Sequence, residues 1–504
     1  MLSESTGASP KHVFCLGPAL LIILSVAVLT GCMVGPNFQR PQPQIPEGWA
    51  GPTPAVPPEA TLSERELARW WTLFGDDTLS SLVERAVSSN LDLKLAEARI
   101  RQARAARGIV AADIGPSVDA AGSFERFQTP GSSSSTTSKV RDTTGPTTNQ
   151  YRAGFDASWE LDIFGGVRRG IEAADADLEA AVEDRRDVLV TLTAEVARNY
   201  LDLRAFQQRV DTARQNLKAQ QRSAELTRQR FRGGFVSGLD VANAEAQVAT
   251  TAAEIPILET FLQQTLYSIA ILLGREPGAL LAELSTASRI PAAPPSVPLG
   301  VPSDLIRRRP DIRRAEAQIH ASTARIGVAT ADLFPRINIL GSGGFQSAET
   351  GTWFESVSRF WSLGPSLRWP VFDTGRIRAN IEQRKALEEQ SILAYQRTIL
   401  VALQEVENAL IASAKEQEHR KALADAVLAN QKAVKLATIL YTEGQTDFLN
   451  VLQAQRSLYA SEDAMVQSSR NVCTNLVALY KALGGGWGYE TTGERPQPDR
   501  PGSM

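Results

Sequence analysis

Few of the side chains that most protein chemistry relies on occur in this 504-residue chain, which holds three cysteines and three histidines. Cys15 falls inside the first apolar stretch, so the chain beyond it keeps only Cys32 and Cys473. Two cysteines, one of them placed for another use, exclude a disulfide framework. His320 and His419 stand far apart, with no Cys or carboxylate cluster at ligand spacing, and read as helix-surface imidazoles rather than metal ligands. Charge of one sign is lacking too. With 53 Lys and Arg against 56 Asp and Glu, the net charge of −3 offers no basic field for nucleic acid. Gly341-Ser342-Gly343-Gly344 is followed by no Lys-Ser/Thr and opens no helix, so it reads as part of a strand and not as a phosphate loop. No catalytic constellation, metal site or cofactor motif is visible. The chain does not read as an enzyme, and any energy for its work must come from a partner. Beyond the N-terminal segment, no apolar run approaches the roughly 20 residues of a membrane-spanning helix. If the protein crosses a membrane, strands must do it.

The N-terminal segment is informative. Lys11 and His12 precede an apolar run from Phe14 to Leu29, which suits the hydrophobic region of an export signal. Leu29-Thr30-Gly31-Cys32 then has the form of a bacterial lipobox, in which Cys32 is acylated and becomes the new N-terminus. Met33 follows, in place of the Asp that retains lipoproteins in the inner membrane, so the anchor points to the outer membrane. Eight prolines between Val34 and Pro58 exclude helix and central strand and predict an extended tether.

The rest of the chain is an internal duplication. Asp92, Ala96, Glu97, Ile100, Gly108, Asp113 and Pro116 recur 219 positions later as Asp311, Ala315, Glu316, Ile319, Gly327, Asp332 and Pro335. Phe231, Gly234, Leu239, Val241, Ala244, Leu273 and Gly274 recur at an offset of 210 as Tyr441, Gly444, Leu449, Val451, Ala454, Leu483 and Gly484. The offset changes between Pro116 and Phe231, and the Ser/Thr/Gly-rich stretch from Gln128 to Gln150 is read as the insertion. These joints predict a signal over 1–31, a lipid-anchored Pro-rich tether over 32–61, a first repeat over 62–283, a linker over 284–304, a second repeat over 305–486 and a tail over 487–504.

Each repeat carries a pair of segments with period-two alternation. Val118, Ala120, Gly122 and Phe124 alternate with Asp119, Ser123 and Glu125. Tyr151 to Ile163 alternate with Arg152, Asp156, Ser158, Glu160 and Asp162. The second pair runs from Ile337 to Phe345 and from Trp361 to Val371. One apolar and one polar face suits either a sandwich or a membrane barrel with a wet lumen. Long helices favour the barrel. From Gly166 to about Phe231, and from Gly375 to about Tyr441, no proline interrupts. Val182, Leu189, Leu192, Val196, Leu203, Phe206, Val210 and Leu217 make a packing seam. Gly233-Gly234 and Glu443-Gly444 then turn each helix into an antiparallel partner, Leu239–Leu273 and Leu449–Leu483, the first expected to kink near Pro256. Four strands cannot close a barrel, for which about eight is the minimum, and an open edge is not tolerated in lipid. Several copies must share one barrel. Arg307, Arg308, Arg309, Arg313 and Arg314 read as a helix-start surface paired with acidic neighbours.

These motifs resemble the outer-membrane efflux channels related to TolC, in the lipoprotein branch typified by OprM and NodT. The residues that carry the resemblance are Val34-Gly35-Pro36-Asn37-Phe38, Trp70-Trp71 with Phe74, Asp76 and Leu79, the run from Val301 through Arg308-Arg309-Pro310-Asp311-Ile312 to Ala315-Glu316, Ala454-Gln455-Arg456, and Lys481 to Trp487. The resemblance implies an α+β membrane fold. In it, a homotrimeric 12-stranded β-barrel, four strands per chain, is continued by a long periplasmic α-helical barrel. It implies a passive conduit of a tripartite efflux system, with a periplasmic adaptor and an inner-membrane RND-type pump as partners. It also places the narrow, gated end on the hairpin after Tyr441, at positions matching Leu449, Gln453 and Arg456, where Gln453 replaces the family's Asp. The first-repeat hairpin near Asp240 and Asn243 completes that end, with Asn243 matching Gln453 at the 210 offset. A type I protein-secretion duct and a structural periplasmic lipoprotein are the competing readings.

Overall fold

The computed structural model describes residues 33–51, 63–130, 144–294 and 302–488. The signal segment, Cys32 and the tail after Gly488 lie outside the described residues, as does the middle of the insertion. The chain divides into two compact units. The first comprises Met1–Pro41, Arg101–Glu179 and Glu316–Leu393, and the second Gln42–Ile100, Ala180–Ala315 and Ala394–Met504.

The elements repeat as the sequence does. Helix α1 (Glu64–Ala68) and a 3-10 turn over Trp70–Phe74 lead into α2 (Asp77–Ser89) and α3 (Leu91–Ala112). Strands β1 (Ser117–Pro130) and β2 (Thr144–Leu161) follow, then α4 (Gly166–Arg232) and α5 (Gly238–Leu272). After the short α6 (Leu281–Leu284) and α7 (Pro302–Arg308), the order recurs as α8 (Pro310–Ala331), β3 (Arg336–Ser347), β4 (Arg359–Arg368), α9 (Arg376–Thr442) and α10 (Phe448–Ala482). Helices α4 and α9 have 67 residues each, on the order of 100 Å at 1.5 Å per residue. Every boundary of α9 and α10 lies 210 positions beyond its counterpart in α4 and α5. The duplication therefore holds for the backbone as well as for single residues.

In the first unit, one antiparallel sheet runs in the order β1-β2-β3-β4. Its register pairs Val118 with Ala157, Phe155 with Gly343 and Gly341 with Leu363. Period two then sends Phe155, Trp159, Trp361, Leu363 and Leu367 to one face and Asp119, Arg152, Asp156, Ser342 and Ser362 to the other. The apolar face is open, with Trp361 82% and Phe155 64% exposed. Both repeats hook an indole over the preceding turn: Trp159 Nε1 donates to the Ile114 carbonyl at 2.9 Å, and Trp369 Nε1 to that of Leu333 at 3.0 Å. The strands reach farther than the alternation foretold. Gln128 pairs with Thr147 and Pro130 with Thr144, so both ends of the segment read as an insertion are ladder. Thr144, Thr147 and Thr148 are β-branched, and pairing satisfies backbone groups that a loop would leave to water.

In the second unit, Trp70, Trp71, Phe74, Leu79 and Leu82 pack against Val196, Tyr200 and Leu203 of α4, Leu266 and Ile269 of α5, and Leu476 and Tyr480 of α10. Trp70 stacks on Tyr480 with ring centroids 5.2 Å apart. Asp76 Oδ1 accepts from the Leu79 amide at 2.9 Å, and its Oδ2 accepts the Tyr200 hydroxyl at 2.7 Å. One carboxylate thus caps α2 and satisfies a phenol in the core. Burial, then the bond to Asp76, push Tyr200 up to about 12.

Two expectations change. Arg309 is not a surface residue: it is 7% exposed, with two nitrogens on Asp311, one on Glu405 and the Ala482 carbonyl. Of the same cluster, Arg313 pairs with Glu183, and Arg314 with Asp184 and Asp187. Finally, α5 is long and apolar enough by composition to cross a membrane, and most of its apolar stretch is not buried. Its Ile and Leu residues between Ile255 and Leu272 raise the mean hydropathy without an unbroken apolar run.

Candidate functional site

The predicted tip belongs to the second unit, and its turns are built alike in both repeats. Gly234 and Gly444 each take φ +74°, a left-handed conformation that costs glycine no steric penalty. The Phe235 amide returns to the Arg230 carbonyl at 2.9 Å, and that of Gln445 to Leu440 at 2.8 Å. The following helices start differently. Ser237 caps α5 in a reciprocal box with Asp240, whereas Asp447, its counterpart, makes no side-chain cap on α10.

Beneath the turns, Tyr441, Phe448, Val451 and Leu452 pack with Ala224 and Ala244. Polar contacts then tie the hairpins of one chain together. Arg230 donates to the Thr442 carbonyl at 2.7 Å and lies 4.9 Å over the Tyr441 ring. Gln455 Nε2 donates to Ser223 Oγ at 2.8 Å, and Arg456 Nε to Gln247 Oε1 at 2.6 Å. Farther along the same helices, Tyr459 donates to Glu254 at 2.9 Å, and Arg209 grips Asp463 with two bonds of 2.6 and 3.1 Å. Burial and Glu254 raise the Tyr459 phenol, which stays a donor.

Of the predicted tip residues, Leu449 is 63% exposed, Gln453 and Arg456 are exposed, and Asn243 is half-buried. Leu239, the counterpart of Leu449, is exposed as well. Asp240 is occupied by the Ser237 cap. Arg456 bonds not to Gln453 but to Gln247, which the sequence reading missed. A signal existed: Asn243, Gln247 and Thr251 recur every four residues as a polar stripe on α5, and Gln247 Nε2 donates to Thr251 at 3.3 Å.

The first unit holds the segment that follows Cys32, which itself lies outside the described residues. The Val34 amide donates to the Phe164 carbonyl at 3.1 Å. Arg169, 2% exposed, donates to the Val34 carbonyl at 3.2 Å, to Asn37 at 2.6 Å and to Glu172 at 2.7 Å. His320 bonds the same Glu172 at 3.1 Å and stacks on Phe38, centroids 4.5 Å apart. Its imidazole is thus structural, and His419 bonds Glu416 at 3.2 Å. No group of three or more His, Cys, Asp or Glu side chains could hold a metal among the described residues. Burial pushes the Cys473 thiol up to about 11, away from reactivity.

Known proteins share this architecture. The family model described as "Outer membrane efflux protein" matches residues 82–275 and 301–485. Nodulation protein T of Rhizobium leguminosarum bv. trifolii is 34% identical over 464 residues, covering 91% of this chain and 96% of that protein. The probable efflux pump outer membrane protein TtgC of Pseudomonas putida is 32% identical over 480 residues, covering 95% and 97%. Among solved structures, the outer-membrane channel OprN superposes with a TM-score of 0.83 at 38% identity, covering 90% of this chain and all of that one. With its duplicated hairpins, four-stranded sheet and full-length likeness to these proteins, the chain belongs to the outer membrane efflux protein family.

Proposed function

We propose that three copies of this chain close one 12-stranded barrel in the outer membrane and continue it as a helical conduit in the periplasm. The single observation that supports this most is the sheet. It has two free edges, β1 and β4, and an apolar face left open with tryptophans near the strand ends. In lipid, such edges must be paired by another copy. Neighbouring copies would also cover exposed apolar residues of α5 such as Ile257, Phe261 and Ile271. Cys32 carries the acyl anchor, and the Arg169 clamp holds the residues after it. The conduit is passive: a periplasmic adaptor docks on it, and an inner-membrane RND-type pump supplies the energy and chooses the small solutes. At rest the tip closes through Leu449, Gln453 and Arg456 with Asp240 and Asn243 around the trimer axis. The layer is amide-rich, so closure rests on leucine packing and polar ties of about 1 kcal/mol each, within reach of adaptor binding energy.

Two measurements test this. Detergent-extracted protein should have the mass of a trimer; a monomer with an intact sheet overturns the shared barrel. In planar bilayers, Leu449→Ala combined with Arg456→Ser should raise single-channel conductance. Unchanged conductance in intact trimers moves the constriction elsewhere, first to the hairpin after Gly234.

A further inference from the structure

On the polar face of the sheet, Arg152 of β2 stands between a carboxylate and an aromatic ring. Its guanidinium carbon lies 4.7 Å from the centroid of Phe360 on β4, and Nη2 donates to Asp156 Oδ1 at 3.3 Å. β3 lies between those two strands, and Phe360 is paired with its Gly344, which is paired in turn with Gly154 of β2. Neither glycine could carry a side chain. A Cβ on Gly344 would collide with the Ala153 carbonyl oxygen, and one on Gly154 would fall 2.6 Å from that of Gly343. The bare floor lets the ring and the guanidinium lie across the sheet. One row along, Asp119 is directly opposite Asp156, so two carboxylates face each other with Arg152 bonded to only one of them.

From this geometry, and resting on the conduit reading above, we infer that Arg152, held by Phe360, sets the ion preference of the strand-lined part of the channel. Fixed charges on a wet wall bordered by low dielectric act on passing ions. Asp119 and Asp156 favour cations, and Arg152 offsets them. The ring fixes the guanidinium through its face, so the offset stays at one level along the pore. Anionic solutes therefore pass this level more easily than the carboxylates alone would allow.

Reversal potentials in a KCl gradient test the assignment, in the parent chain and in the Leu449→Ala, Arg456→Ser chain. Arg152→Gln should raise the cation-to-anion permeability ratio by about twofold or more, and Arg152→Glu further. Phe360→Leu should shift it the same way by less, and Asp156→Asn the opposite way. Conducting trimers whose ratio is unmoved by both Arg152 variants in both backgrounds overturn the inference. If neither the parent chain nor the Leu449→Ala, Arg456→Ser chain forms a conducting trimer, the conduit reading beneath it is overturned instead.

Discussion

Arg456 of α10 donates to Gln247 of α5 across 2.6 Å, so the arginine proposed to close the tip is tied to the other hairpin of its own chain. A charged donor on a buried amide is worth about 1.5–3 kcal/mol. Any opening that moves one hairpin away from the other must break this bond. A double-mutant cycle on Arg456→Ala and Gln247→Ala should therefore give a coupling of about 1 kcal/mol or more in thermal stability. Additive effects would place the tie outside the energetics of the tip.

Gly344→Ala should be among the most damaging single substitutions in the sheet. The added methyl group meets the Ala153 carbonyl oxygen and the Gly154 Cα, which forces β2 and β3 apart. Loss of heat-resistant oligomers on gels is the expected result. Gly351→Ala, where nothing lies within 4 Å, is the matched control.

Arg169→Met should release the segment after Cys32. The guanidinium holds Val34, Asn37 and Glu172 from a buried position, and removing one partner of such a network costs about 3–5 kcal/mol. Amide exchange at Val34 should rise strongly, with a smaller rise for His320→Ala, which removes only the stack on Phe38 and one bond to Glu172. Protection unchanged in both variants would mean that the segment is held by other contacts.

Tyr200 predicts an alkaline dependence. Its phenol is pushed from an ordinary 10.0 up to about 12, so the unfolded chain releases this proton first. The contribution is whole below about pH 10 and is lost as pH rises toward 12. Tyr200→Phe should lower stability at neutral pH by about 1 kcal/mol, through the lost bond to Asp76. It should also flatten the decline between those two pH values in thermal melts. Some slope remains, because burial pushes Tyr480 to about 12 as well.

Cys32→Ser should abolish labelling by a fatty-acid analogue. A tag inserted near Ser134 should be reachable on intact cells. Lipid still incorporated in the variant, or a tag reachable only after the outer membrane is opened, would contradict the topology of the anchor or of the strands.

Much of this was legible in the sequence because the duplication doubles each signal. Gly233-Gly234 and Glu443-Gly444 end two helices at equivalent places, and the boundaries fall within a residue or two of their reading. The Thr-rich extensions of β1 and β2 were not legible. Their composition is that of a loop, and only the partner strand makes them ladder. Arg309 looked solvated because its neighbours in sequence are arginines, yet Glu405 and Ala482, remote along the chain, bury it. The contact at Arg456 was hidden by the repeat itself: the offset of 210 maps Arg456 onto Ala246, one position short of its partner.

The C-terminal closure of the second unit bears on the order in which the chain can fold. The Gly486 amide donates to the Leu67 carbonyl at 3.0 Å, and Trp70 stacks on Tyr480. The Trp487 ring lies under both Arg186 and Arg313. The aromatic cluster near the start of the second unit's folded elements is thus completed by almost the last residues described. Pairings so distant along the chain are slow to form. A polypeptide that emerges N-terminus first has to wait, with Trp70 and Trp71 uncovered, until Tyr480 to Trp487 arrive. For this protein, periplasmic holding factors would act on the amino-terminal tryptophans, and premature termination anywhere in the second repeat would leave that surface exposed.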